Sequence, residues 1–522
     1  MSAEPYPHPD APGIGTLQVH GGTANPPAAR PVHPPIYLTA SYEFASLRDA
    51  RECFAQREPG FTYSRTGSPT VALLERRLAA LEGGVGAVAT ASGQAAVTLT
   101  ILALAGRSGQ SPDGEPHPDV PAGHVVASNR IYGGTADLLN DTLAEAGIGV
   151  TWVDPHDPAA WAAAATDRTR AFVLESIGNP HADLPDIPAI AEVAHRVGAA
   201  LVVDNTLATP YLLQPGTLGA DVVVHSVTKY LTGNGTSLAG VVVDTGRFAP
   251  SADPERWPQF TAPRRRFGGR SLVEGFGDRG ALLHLVRAQL LNDLGPSLAP
   301  LNAQQALEGV ETLDVRVERH CRVAEEIARR LVTHPGVRVV RHPSVPGSRD
   351  AAIAARDFPR GTGAVLSFEI DGDTDDVERF FDSLRLFKLA ANIGDGRSMA
   401  THPAWTTHCR LTPELRETGE ITERTVRLSL GREDVADLWA DLAQALDAAT
   451  VKGDAAETAA HARAGATASA DNAAPTDNAS SAADAAPAAS VAAPTAADAA
   501  LTADNAAPRT PHQPAAKEAV RA

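Results

Sequence analysis

From Val71 to about Asp244 the chain alternates apolar helical faces with short runs rich in Val, Ile, Leu and Ala: GAVAT, HVVAS, GVTWV, RAFVLES, ALVVDN, DVVVHS and GVVVD. Strands read as unbroken apolar runs when both faces of their sheet are covered, so this rhythm predicts βα units and a mostly parallel sheet, an α/β fold. Residues 1–70 are instead rich in Gly, Pro and polar residues, with short apolar pieces such as VHPPIYLTASYEF. They predict an extended arm of the kind that wraps a partner subunit. Residues 301–335, with LEGVETLDVRVERHCRVAEEIARRL, keep apolar side chains at helical spacing and predict one long helix leading out of the large unit. Beyond it, to about 450, strand-like pieces (VRVVRHP, AVLSFEI, TVRLSLG) alternate with helical ones, an α+β pattern. The predicted organisation is an arm (1–70), a large domain (71–300), an interdomain helix with a small C-terminal domain (301–450), and a remainder (451–522).

Two segments break the pattern. Residues 106–122, GRSGQSPDGEPHPDVPA, have no periodicity and predict a surface loop, with a catalytic lid as the sharper alternative. Residues 451–522 are Ala/Asp/Thr/Pro repeats with almost no large apolar side chain to offset the entropy of ordering, which predicts a disordered tail. A formal net charge of −17 over 522 residues argues against sequence-independent nucleic-acid binding, which needs a basic face. The three cysteines, Cys53, Cys321 and Cys409, lack disulfide or metal-ligand spacing, so no metal is expected and a reducing compartment fits. With no basic leader followed by an apolar run, and no apolar stretch of about 18 residues, the expected location is the cytoplasm, off the membrane.

The chemistry concentrates in residues 200–244, ALVVDNTLATPYLLQPGTLGADVVVHSVTKYLTGNGTSLAGVVVD. Two apolar runs end in polar residues, at Asp204 and at His225 through Lys229, and in parallel sheets the residues beyond the strand C-termini line the ligand crevice. An acid and a lysine thus reach one site. Pyridoxal 5′-phosphate (PLP) chemistry needs that pair: an amine to form an imine, and a carboxylate to keep the pyridine nitrogen protonated. Ser226 and Thr228 offer hydroxyls suited to the cofactor phosphate. Local pattern alone leaves Lys229 equally an ordinary surface lysine at a strand-to-helix turn. In ATASGQAAV, residues 89–97, small residues precede a helix start, where the N–H groups of Gly93 and Gln94 can take an anion. GGVGAV, 83–88, lacks the full dinucleotide glycine pattern and is set aside.

SVTKYLTGNGTS resembles the PLP-lysine motif of the Cys/Met-metabolism family, in which Ser-x-x-Lys precedes a Gly-rich turn, and the likeness runs from about Thr16 to Ala449 apart from the 106–122 loop. It implies a PLP-dependent transferase of fold type I, aspartate aminotransferase-like, with Lys229 carrying the cofactor. FTYSRTGSPT, 61–70, is similar to the segment whose Tyr and Arg reach the phosphate held by the neighbouring subunit. Tyr63 and Arg65 therefore imply a homodimer or homotetramer with shared sites. NRIYGGTADLL is similar to the segment whose tyrosine, here Tyr132, stacks on the ring and helps move protons near the leaving group; Asn179 matches the asparagine that contacts the phenolic oxygen. Gly134 stands where γ-lyase-like members carry cysteine.

In LAANIGDGRSMATHPAWTTHCRLTPELRETGEITERTVRLSLGRED, 389–434, the pattern resembles the O-acetylhomoserine sulfhydrylase branch. Arg427 would clamp the substrate carboxylate bidentately, helped by Asn392. The implied reaction is γ-replacement on O-acetylhomoserine by sulfide or methanethiol, giving homocysteine or methionine and acetate. Cystathionine γ-synthase and cystathionine or methionine γ-lyases share the same cofactor residues and stand as alternatives. A non-catalytic PLP-holding regulatory protein is the alternative from another class. No arginine is identified for a second carboxylate, so sulfide is the expected acceptor in preference to cysteine.

Overall fold

Each apolar run of the first half is a strand: β1 (Gly86–Thr90), β2 (His124–Ser128), β3 (Gly149–Val153), β4 (Thr169–Glu175), β5 (Ala200–Asp204), β6 (Val222–Ser226) and β7 (Gly240–Asp244). They form one sheet in the order β1-β7-β6-β5-β4-β2-β3. The computed structural model describes residues 12–23, 31–58, 60–107 and 122–450; nearly all of the 106–122 loop, and the 451–522 segment, lie outside the described residues. Strand β7 alone runs against its neighbours, β1 and β6. A parallel partner needs a crossover that carries the chain back along the sheet, usually a helix, whereas residues 227–239, which join β6 to β7 and carry Lys229, contain no helix and return the chain antiparallel. Alternate residues of β5 divide between two cores, Leu201 and Val203 in one and Ala200 and Val202 in the other, so the sheet is covered on both faces.

The small domain adds a second sheet, β8 (Val337–Arg341), β9 (Val365–Ile370), β10 (Lys388–Leu389), β11 (Met399–Thr401) and β12 (Thr425–Ser429), in the order β10-β11-β12-β9-β8. All pairings in it are antiparallel except β10 with β11. Strands β10 and β11, of two and three residues, are too short for their period to show in the sequence.

The expected single helix over 301–335 is corrected to two, Pro300–Val310 and Leu313–Leu331. The carbonyl of Gly309 is taken by the N–H of Thr312 (3.2 Å) and by Arg316 Nη2 (2.6 Å), which ends the first helix. Arg316 also donates to the carbonyls of Tyr230 (2.8 Å) and Leu231 (3.3 Å). The break therefore anchors the turn that follows Lys229.

The arm is not uniformly extended. Its helix Ile14–His20 is pinned to the body, with Gln18 Nε2 donating to Asp314 Oδ1 at 2.7 Å. Farther on it leaves Val32, Leu38, Leu47 and Phe54 exposed.

Candidate active site

A cavity of about 490 Å³ opens where the C-terminal ends of β4, β5 and β6 meet the small domain. Lys229 lies within it, and its Nζ donates to Asn392 Oδ1 at 2.5 Å. Burial, and next the positive charge of Arg427, lower the amine to about 8. The chain has four lysines, Lys229, Lys388, Lys452 and Lys517. Of the two that are described, Lys388 is exposed and Lys229 is the one in the cavity.

Arg427 sits in the middle of β12 and is 2% exposed. Its Nη1 donates to Asn179 Oδ1 at 3.1 Å, and Nη2 lies 3.5 Å from both the Asn392 carbonyl and Thr401 Oγ1. Nε is buried without a hydrogen-bond partner among the described residues. Burial lowers this guanidinium to about 10, which leaves it charged at neutral pH.

Asp204 and Glu175 end adjacent strands in direct register. Asp204 Oδ1 accepts the backbone N–H of Thr206 at 2.9 Å and its hydroxyl at 2.5 Å, while burial, the larger effect, raises its carboxyl above the ordinary aspartate value. Glu175 Oε1 accepts the backbone N–H of Tyr132 at 2.7 Å, and its Oε2 is buried without a hydrogen-bond partner among the described residues. Burial first, and then the neighbouring Asp204, push Glu175 well above the usual carboxylate range. Leaving a buried donor or acceptor unpaired costs about 1–3 kcal/mol. The open atoms of Glu175 and Arg427 thus point to a polar occupant.

The helix Gly93–Ala105 begins at the cavity wall. Ser92 caps it by accepting the N–H of Ala95 (3.2 Å), which leaves the first-turn N–H groups of Gly93 and Gln94 for an anion. Gly93 packs so closely on β6 that a Cβ there would lie 2.5 Å from Cβ of Ser226. Gln94 uses its side chain elsewhere, donating to the Gly134 carbonyl at 3.0 Å, so an anion would meet its backbone. The Thr228 hydroxyl accepts the N–H of Ala239 at 3.0 Å and also lines the cavity, as does Ser226.

Tyr132 lines the mouth, 44% exposed. A Cβ on Gly134 would come within 2.5 Å of its ring, so the tyrosine occupies the space a larger residue at 134 would need. The cavity thus gathers Gly93, Gln94, Tyr132, Asn179, Asp204, Ser226, Thr228, Lys229, Asn392 and Arg427. Tyr63 and Arg65 are not among its lining residues. Both are exposed on the arm, the guanidinium 5.6 Å from the tyrosine ring centroid.

Sequence reasoning missed Glu175, Thr206, Asp137 and Arg410, all of which line the cavity. The strand-end position of Glu175, the first residue of ESIGNP, is the one signal that could have found it. Arg410, in a loop, carries none.

The fold and site define a PLP-dependent enzyme of fold type I, with a large, mostly parallel sheet and a smaller, antiparallel-rich one. Residues 15–447 match the family described as Cys/Met metabolism PLP-dependent enzyme, and the chain belongs to that family. It is similar to an O-acetyl-L-homoserine sulfhydrylase of Leptospira meyeri, 42% identical over 83% of this chain and 96% of that one. An O-acetyl-L-homoserine sulfhydrylase of Corynebacterium glutamicum is 41% identical over 82% of this chain and 96% of its own. Among solved structures, a Campylobacter jejuni protein assigned as an O-acetylhomoserine (thiol)-lyase, carrying a pyridoxyl-lysine phosphate, superposes with a TM-score of 0.77 at 35% identity, over 83% of this chain and 99% of that one. A cystathionine γ-synthase of Xanthomonas oryzae superposes at 0.69 with 31% identity, over 84% and 98%.

The donor set fits the cofactor: a half-buried amine of lowered basicity, a half-buried carboxylate, and an open helix N-terminus for phosphate. Among the described residues no helix is long and apolar enough to cross a membrane.

Proposed function

We propose that this cavity carries out γ-replacement on O-acetyl-L-homoserine, sulfide or methanethiol displacing acetate to give homocysteine or methionine. The observation that carries it is the buried Arg427, its Nε open, in the same cavity as Lys229. A buried guanidinium with no ion-pair partner among the described residues suits an amino-acid carboxylate. The choice of ester and acceptor rests on the names of the relatives.

PLP, when bound, supplies the electron sink that stabilises negative charge beside the substrate Cα. Lys229, Asp204, Ser226, Thr228, Asn179 and the N–H groups of Gly93 and Gln94 would hold it. Asp204 keeps a proton at the ring nitrogen. Arg427, with Asn392, fixes the substrate carboxylate, which sets the Cα hydrogen toward Lys229. The Lys229 Nζ, already partly neutral at pH 7, takes that proton and can move one at Cβ. Tyr132, oriented through its backbone N–H by Glu175, moves a proton near the departing acetate. Tyr63 and Arg65, exposed and away from this chain's own cavity, serve the cavity of a partner subunit in a symmetric assembly.

Cystathionine γ-synthase and γ-lyase activities would use the same residues, so product identity decides. The holoenzyme is incubated with O-acetylhomoserine and sulfide, with cysteine, or with no acceptor, and products are identified by mass. Homocysteine and acetate should dominate. Cystathionine as the main product under equal acceptor supply, or 2-oxobutanoate and ammonia without any acceptor, would overturn the assignment.

A further inference from the structure

Two arginines line the cavity, and they are in opposite states. Arg427 is buried on the floor with an open Nε. Arg410, at the mouth, is already taken: its Nε donates to Asp137 Oδ2 at 2.7 Å, with Nη2 2.6 Å from the same oxygen. Asp137 lies in a helical stretch that starts at Gly133, just after Tyr132, and continues through the π segment Leu138–Thr142, and its side chain is 19% exposed against 71% for Arg410. The acid is thus the fixed member of the pair and the arginine the mobile one. Asp141, one turn beyond Asp137, lines the same stretch of wall. The mouth therefore carries two carboxylates and one guanidinium.

That charge pattern bears on the second reactant. Sulfide and simple alkanethiols bring no carboxylate, and an acetyl ester brings none beyond the one Arg427 would hold. Cysteine as acceptor, or a succinyl ester as donor, brings another, which must find a cation or meet the acids at the mouth.

We propose that Asp137 determines the co-substrate range: by engaging Arg410 it withholds the cavity's second guanidinium from carboxylates and confines the reaction to uncharged acyl groups and carboxylate-free thiols. This rests on the cavity being a γ-replacement site. Asp137 is a specificity residue acting through Arg410, which predicts that its effect vanishes when Arg410 is also removed.

The test compares wild-type, Asp137→Asn and Asp137→Asn/Arg410→Gln holoenzymes. The kcat/KM for sulfide, cysteine and 3-mercaptopropionate is measured with O-acetylhomoserine, together with the affinity for succinate relative to propionate by calorimetry. Asp137→Asn should raise the preference for the two carboxylated thiols over sulfide about tenfold or more, the scale on which one close charge pair changes discrimination. It should raise the succinate-to-propionate affinity ratio in parallel, and the double variant should return both ratios to wild-type values. An unchanged thiol preference in Asp137→Asn, or a gain that persists without Arg410, overturns the proposal. Should no protein turn over O-acetylhomoserine with any thiol while the succinate ratio behaves as stated, the γ-replacement assignment fails and the charge gate stands. An unmoved succinate ratio removes the gate itself.

Discussion

Burial and the nearby Arg427 hold the Lys229 amine at about 8. About a tenth of such amines are neutral at pH 7, against well under a thousandth for an ordinary lysine. Since the neutral amine is the form that attacks an aldehyde, cofactor-free protein should capture PLP at a rate that climbs with pH to about 8 and flattens above. Arg427→Gln removes a neighbouring positive charge and should move that midpoint upward; stopped-flow absorbance over a pH series checks both, and a midpoint that falls would contradict the electrostatics. Asp204→Ala should retain part of the cofactor yet lose about 100- to 1000-fold in kcat, because the charge it opposes develops in the transition state. An unchanged rate would remove Asp204 from that role. Lys229, Asp204 and Arg427 were legible in sequence because each sits in or at the end of an apolar run, where a polar residue is conspicuous. Arg410 was not, since a charged residue in a polar loop looks like solvated surface until the fold brings Asp137 to it.

At the scale of elements, the seven runs read from the first half became the seven strands of the large sheet, because a doubly covered strand has to be apolar throughout. The break between Pro300–Val310 and Leu313–Leu331 was hidden, because the two helices keep an apolar face at the same spacing and the interruption depends on Arg316 reaching carbonyls more than 80 residues away. The short strands β10 and β11 exist only through their pairing with β12 or each other. The contact between the start of Gly93–Ala105 and β6 likewise has no sequence signal, yet it shapes the anion end of the cavity. Gly93→Val would drive a side chain into Ser226. The variant should keep its circular dichroism spectrum but release PLP on dialysis, with affinity down about tenfold or more. Full retention of cofactor would mean that the helix start does not hold the phosphate.

For the whole molecule, the exposed Tyr63 and Arg65 on an arm with several exposed apolar side chains motivate the shared site. Lys229→Ala and Arg65→Ala chains, each inactive, should complement when co-assembled. Random pairing makes half the dimers mixed with one intact site each, so about a quarter of wild-type activity should return. Recovery no greater than the sum of the parents, with mixed assembly verified, would place Arg65 in its own subunit's site and undo the role given to the arm. All of this depends on Lys229 being the residue that holds the cofactor, and a chain with four lysines makes that directly measurable. The holoenzyme is reduced with borohydride, digested, and every lysine-containing peptide weighed. The pyridoxyl mass should appear on the peptide bearing Lys229 and be missing, along with the visible absorption, from Lys229→Ala. A pyridoxyl group on Lys388, Lys452 or Lys517, or retained absorption and turnover in Lys229→Ala, would contradict the account at its centre.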